Sequence, residues 1–539
     1  MASKRKTGNQ ASCQHAHIQV DVSSHASEVG FTRVPAEKRV AATTPSGRVV
    51  KVSSDGTRSR TGTNPPSEYT FPAPLVLPGD SLSIDPKEAP QSLRSFIQEG
   101  ARNPLTNARN TLYVGRVSGS SSGSSSSAGQ NDISQITKSW AIPCCISSRG
   151  SGNTKSPSTN APLEPPRTED IIEYMSAYYH PLQVKSLLPA SSKPASFVPW
   201  QDDETTDKKD PRSRRKGAKV KATSESSPTY VGLHLGEGVT RIRTRPCPDD
   251  AFPRQINLND VLDALLEAIP SDAHSAILLV DQDMYDDDDD TFCCGLAYGG
   301  SRVAVVSTAR YHPALDSSHY DGTTIEAEDL EGLGVDRAHM WPGSHCQEFV
   351  RRVCEANLAE EAEDDDDEEP PKRKKAKSCK GSQGSAKGVN GTGSGSGEGL
   401  SPSEIEKTPM GAAIRAALAV PSPEDDLSGL WFSWVARTAA HELGHCFALG
   451  HCVYYACSMQ GTSCLAEDIR QPPYLCPICL AKLTRATLDV AKEMDPKDFV
   501  MQRYKALLEF CGKRKDITMF AGFYAWLERR IAQLNAEGP

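Results

Sequence analysis

Apolar residues recur at mostly three- and four-residue steps through Leu430, Trp431, Trp434, Val435, Ala439 and Leu443. That is the period of a helix, not the alternation of a strand. Asp425, Asp426 and Ser428 precede the run and suit a helix N-terminus, and Gly450 is a candidate stop, so the pattern predicts a largely buried helix of about five turns. Upstream, Val261, Leu262, Leu265, Leu266 and Ile269 give residues 256–269 a helical face. The short apolar runs at 276–280 and 302–307 are consistent with buried strands. Downstream, helical stretches are expected over 486–510 and 517–534, the second with a stripe of Phe520, Phe523, Tyr524, Leu527 and Ile531. Helix, strand, strand and then a long helix predict an α/β (α+β) fold.

Between these patterned stretches lie segments with no apolar period. Residues 118–127 are almost all Ser and Gly, 360–369 are nearly all acidic, and 381–399 are Gly/Ser-rich. Such composition cannot bury enough apolar surface to offset the entropy of ordering the chain. The expected organisation is a disordered N-terminus (1–30), an N-terminal part of the catalytic region (31–115) and a Ser/Gly-rich linker (116–165). An α/β subdomain (166–355) with a charged insertion at 201–228 follows, then a disordered acidic, basic and Gly/Ser insertion (356–404). The active-site helix and cysteine module (405–483) and C-terminal helices (484–539) complete it.

Composition agrees. In 539 residues the hydrophobic share is 37% and the aromatic share 6%, both low for a chain that is globular throughout. The N-terminal residues lack the apolar core of a signal peptide, and no stretch has the length of a membrane span. A soluble, cytoplasmic protein is expected. The basic clusters at 208–221 and 371–375 have the form of nuclear-import signals, although a charge run is more often only a solvated surface. The net charge of −9 argues against general nucleic-acid binding. Sixteen cysteines in a reducing compartment favour metal ligation and free thiols over disulfides.

The chemistry concentrates at His441-Glu442-Leu443-Gly444-His445. On a helix, residues four apart share a face, so His441 and His445 can direct two imidazoles at one zinc ion. Glu442 lies beside them and can act as general base for the attacking water instead of binding metal. His451 can be the third ligand if the helix stops near Leu449 or Gly450 and the chain turns back. A surface helix carrying two idle histidines is the bland alternative, and the third histidine at this spacing weakens it. Cys452 and Cys457 form C-x4-C, and Cys476 and Cys479 form C-x2-C, the layout of a closed four-thiolate structural zinc site. A redox pair or disulfides would be the alternatives, but no thioredoxin-like context surrounds the pairs. Cys446 and Cys464 read as a helix-packing and a loop cysteine.

The run His441 to Leu483, together with Gln502 to Leu507, resembles the archaemetzincins, metallopeptidase-like proteins of the metzincin group. The resemblance implies a metzincin-like zincin domain with a long active-site helix and a Met-turn at Met459. It also implies a catalytic zinc on His441, His445 and His451 with Glu442 as base, and a structural zinc on Cys452, Cys457, Cys476 and Cys479. The expected activity is zinc-dependent hydrolysis of peptides or proteins, as an aminopeptidase or oligopeptidase, and the strand at 303–306 or its neighbour should border the substrate cleft. The competing expectation is a catalytically weak zinc- and peptide-binding protein on the same scaffold. One departure bears on this: the family's glycine three residues after the second histidine is Ala448. Either Gly450 moves the turn by two residues or Ala448 carries the strain.

Overall fold

The computed structural model describes residues 23–48, 66–117, 133–147, 163–189, 192–200, 228–315, 339–343, 345–348, 350, 402–421 and 426–536. The Ser/Gly-rich run at 118–127, the basic cluster at 208–221 and residues 356–401 of the insertion expected at 356–404 lie outside these residues, and the last three residues of that insertion belong instead to a short helix, Pro402–Ile405.

The architecture is mixed α/β, built on two five-stranded sheets. The strands are β1 (Thr111–Arg116), β2 (Gln183–Ser186), β3 (Ser196–Pro199), β4 (Tyr230–Leu235) and β5 (Gly238–Pro246). They continue with β6 (Arg254–Asn257), β7 (Ala273–Val280), β8 (Asp283–Tyr285), β9 (Gly295–Ala297) and β10 (Val303–Ser307). The first sheet has the order β2-β1-β7-β10-β9. Its first four strands are parallel, and β9 runs antiparallel along the β10 edge. The second sheet has the order β3-β4-β5-β6-β8.

The first sheet is covered on both faces, as parallel sheets require. Every residue of β7 is buried. Ile277 and Leu279 face one core with the active-site helix, whereas Ala276, Leu278 and Val280 face the other with the Leu258–Ala268 helix and the second sheet. β10 alternates in the same way, with Ala304 and Val306 on the active-site side and Val303 and Val305 opposite. This two-sided burial explains why both runs appear in the sequence as unbroken apolar stretches. The helix expected over 256–269 begins at Leu258, because Ile256 is taken into β6 and Asn257 caps the helix by accepting from the Asp260 amide.

The active-site helix spans Leu427–Cys446, and the Asp426 carboxylate caps it at the Gly429 amide. The continuous helix expected over 486–510 is instead two, Pro477–Leu488 and Pro496–Gly512. Asp495 caps the second, and Pro496 occupies its first turn. The last helix is Thr518–Ala536. No described helix is long and apolar enough to cross a membrane.

The segment from Ser67 to Gln98 folds over the active-site region. Phe71 meets Tyr474 and Trp526 edge-on, at 5.6 and 5.5 Å between ring centres. The Trp526 indole donates to the Thr70 carbonyl at 3.2 Å. Backbone and side-chain bonds tie the segment to residues 456–467: Ala456 N donates to Pro72 O at 3.0 Å, and Ser81 N donates to the Glu467 carboxylate at 2.8 Å.

Candidate metal centre

His441 and His445 lie one turn apart on the inward face of the active-site helix, and the chain returns His451 to them. One ligand atom from each of the three lies within 4.8 Å of the others. His441 Nδ1 donates to the Ser458 carbonyl and His445 Nδ1 to the Leu449 carbonyl, each at 2.7 Å. These bonds fix both tautomers and leave the Nε2 lone pairs facing one another at 3.0 Å. Two acceptors so close need an electrophile between them. A proton is disfavoured: burial holds His441 well below its usual range and lowers His445 to about 4, with the neighbouring imidazoles adding to both shifts. A tetrahedral zinc with bonds of about 2.0–2.1 Å would set its ligand nitrogens about 3.3 Å apart. The donor set fits zinc.

Glu442 is buried beside the pair. Burial, and secondarily the Asp468 charge, raise its carboxyl to about 8. Its side chain lies against Gly295 of β9, where a Cβ would stand 3.0 Å from Glu442 Cγ and 3.1 Å from Oε1. The glycine is there because the glutamate needs that space, and β9 is therefore the strand that borders the site.

The helix ends at Cys446, and Ala448 takes the left-handed conformation with φ +63°. Ala448, not Gly450, makes the turn and carries the strain that a glycine would avoid. Holding an L-residue in this region costs about 1–2 kcal/mol. Glycine recovers that strain but loses more entropy on folding, which offsets about 0.4–1 kcal/mol. Ala448→Gly is therefore expected to stabilise the protein by about 0.5–1 kcal/mol, read as a raised denaturation midpoint. A lowered midpoint would show that the methyl group's contacts outweigh its strain.

Met459 is fully buried, and its sulfur lies 2.5 Å from where a Cβ at Gly444 would stand. The methionine thus seats against the helix between the two histidines in sequence. Cys452 N donates to Met459 O at 2.7 Å, which closes the loop between them.

One sulfur from each of Cys452, Cys457, Cys476 and Cys479 lies within 4.8 Å of the others, and all four residues are buried. Cys452 Sγ and Cys476 Sγ are 3.5 Å apart, near the roughly 3.8 Å that a tetrahedral zinc–thiolate shell sets. Cys476 caps the Pro477–Leu488 helix, so the sulfurs meet the positive end of its dipole. Hydrogen bonds from Cys457, Cys476 and Cys479 pull the Cys452 thiol well down, whereas burial pushes Cys457 and Cys476 up. This is a donor set short of positive charge. Cys446 and Cys464 stand outside the cluster, with Cys446 buried on the helix.

The arrangement also holds residues that pattern reading missed. His451 Nδ1 lies 3.2 Å from the Glu88 carboxylate, which leaves its Nε2 for a metal. Tyr178 OH and Ser458 Oγ are 2.6 Å apart, and buried Arg503 donates to the Tyr178 carbonyl at 2.7 Å. Arg503 and Tyr178 thereby brace the residue whose carbonyl orients His441. Arg503 falls in the 502–507 run that drew notice in the sequence, but Glu88 and Tyr178 carry no local signal.

A long helix bearing the His–Glu pair, a third histidine after a left-handed turn and a methionine seated against that helix define a zincin of the metzincin kind. Residues 422–485 match the model of peptidase family M54. Archaemetzincin-2 of Macaca fascicularis is 43% identical over 74 residues, 14% of this chain and 18% of the relative. Archaemetzincin-2 of Rattus norvegicus is 35% identical over 119 residues, 18% and 30% of the two chains. Human archaemetzincin-1 is 45% identical over 56 residues, 10% of this chain and 11% of the relative. The crystal structure of archaemetzincin from Methanopyrus kandleri aligns over 71% of this chain and 97% of its own, at 15% identity and a TM-score of 0.26. The similarity to the archaemetzincins is thus concentrated in the segment that carries the histidine and cysteine clusters. The matches span less than a third of the length of these curated relatives.

Proposed function

We propose that the chain is a zinc-dependent metallopeptidase that hydrolyses peptide bonds, with one zinc at His441, His445 and His451 and another at the four cysteines. The observation that carries this reading is the pair of imidazoles whose Nε2 atoms face each other at 3.0 Å, with buried Glu442 beside them. Zinc bound there would supply Lewis acidity, polarising the scissile carbonyl and acidifying the attacking water. Glu442 accepts the proton from that water and passes it to the leaving amine. Its burial keeps the carboxylate basic enough for the first transfer, and its contact with Gly295 fixes its position. β9 pairs only with β10 among the described strands, so an extended substrate can add along its other edge by backbone hydrogen bonds. Cytoplasmic residence fits the many free thiols and belongs to the same proposal.

The two donor sets predict different lability, because a closed four-thiolate shell exchanges slowly and a three-histidine site is open. The test is metal analysis with a peptide-library assay during graded chelation. Two zincs per chain are expected, with activity lost alongside the first, the fold retained, and activity restored by zinc. A single zinc, or activity that survives loss of the labile ion, would reject the reading.

A further inference from the structure

The Ala448 turn is held from outside by one side chain, 357 residues away in sequence. Gln91 Nε2 donates to the Ala448 carbonyl at 2.9 Å, and Gln91 Oε1 accepts from the Gly450 amide at 2.9 Å. The amide therefore bridges the two peptide groups on either side of Leu449, whose own carbonyl anchors His445. Lys482 Nζ also donates to Gln91 Oε1, at 2.8 Å. Lys482 is fully buried on the helix capped by Cys476. An ammonium can only donate, so Lys482 fixes which end of the Gln91 amide is oxygen and leaves the nitrogen for Ala448.

We infer that Gln91 is a positioning residue for the third histidine: its amide holds the alanine turn in the conformation that presents His451 to His441 and His445. A glycine would adopt this turn unaided, and this chain has Ala448. His451 lies three residues beyond Ala448, so any relaxation of the turn moves its imidazole before those of the helix. Buried Lys482 makes the clamp directional. It also links the clamp to the cysteine module, since Lys482 stands on the helix that Cys476 caps and that holds Cys479.

This inference rests on the zinc reading above, and its test uses zinc affinity, not turnover. The full chain loaded with zinc is compared with Gln91→Met, Ala448→Gly and the double variant, each titrated with a chromophoric chelator. Gln91→Met keeps the side-chain volume and removes both hydrogen bonds to the turn, together with the one from Lys482. It is expected to weaken the labile zinc by about tenfold or more, the usual effect of losing an orienting partner, with the tight zinc and the far-ultraviolet circular dichroism unchanged. A cobalt-substituted labile site should show an altered visible spectrum in the same variant. Ala448→Gly alone should bind like the parent, and adding it to Gln91→Met should restore most of the lost affinity, because glycine removes the strain that the clamp opposes. Parental affinity in Gln91→Met overturns the inference. So does an equal loss with and without Ala448→Gly, which would show that Gln91 acts only through packing. A parent chain that holds no labile zinc overturns the function and the inference together.

Discussion

Glu442→Gln is expected to lower peptide hydrolysis by about 10²–10⁴-fold, the range over which positioned proton transfer contributes, while both zincs stay bound. The substitution is nearly isosteric, so the close contact with Gly295 is kept. What is lost is an oxygen able to take the proton from the attacking water. Retained zinc follows from the geometry, because the ligand atoms that converge are those of the three histidines and Glu442 is not among them. The loss should fall on kcat and leave KM little changed, since the residue is proposed to act on the reacting atoms and not on binding. Glu442→Asp should fail as well, because a side chain shorter by one methylene leaves the carboxyl short of the water. Parental turnover in a zinc-loaded Glu442→Gln protein would remove Glu442 from the mechanism. Loss of the labile zinc in that protein would mean the glutamate is part of the metal shell.

What the sequence shows of this molecule follows the range of the interactions involved. The active-site helix, its Asp426 cap, the β7 and β10 runs and the two ligand clusters are local patterns, and each appears where the period or spacing places it. The break between the Pro477–Leu488 and Pro496–Gly512 helices was also legible: an Asp followed by a Pro is an N-cap and first-turn signal, and the apolar period through 486–510 concealed it. The turn at Ala448 was legible only as a choice between two positions. Local sequence favours Gly450, because glycine tolerates positive φ, and tertiary bonds from Gln91 decide for Ala448. Glu88, Gln91 and Tyr178 reach the site across 280 residues or more. No window of sequence holds both ends of such a contact. The same is true of β1, which lies between β2 and β7 in the sheet although 156 residues separate the ends of its first pairing with β7, from Thr111 to Ala273 less the strand's own six.

Cys457→Ser is expected to do more damage than loss of a catalytic histidine. Cys457 Sγ accepts from the Cys476 amide at 3.2 Å, and the next two residues serve the other metal set. Ser458 gives its carbonyl to His441, and Met459 seats against Gly444 and accepts from the Cys452 amide. Cys452 directly follows His451. The four-cysteine module therefore holds the loop that orients two of the three histidines. A structural zinc contributes about 10–16 kcal/mol in small zinc-folded peptides, comparable with the roughly 5–15 kcal/mol that separates a domain from its unfolded state. Even a partial loss of that contribution should lower the melting midpoint sharply, or leave the region unfolded, with both zincs lost. His445→Ala should behave differently: it should lose the labile zinc and activity while keeping the tight zinc and a cooperative melting transition. Metal content and thermal unfolding measured on the two variants side by side decide the matter. A Cys457→Ser protein with two zincs and the parental midpoint would show that the cysteines do not form the structural site. A His445→Ala protein that loses both ions would show that the two centres do not divide into one that folds the chain and one that serves the reaction.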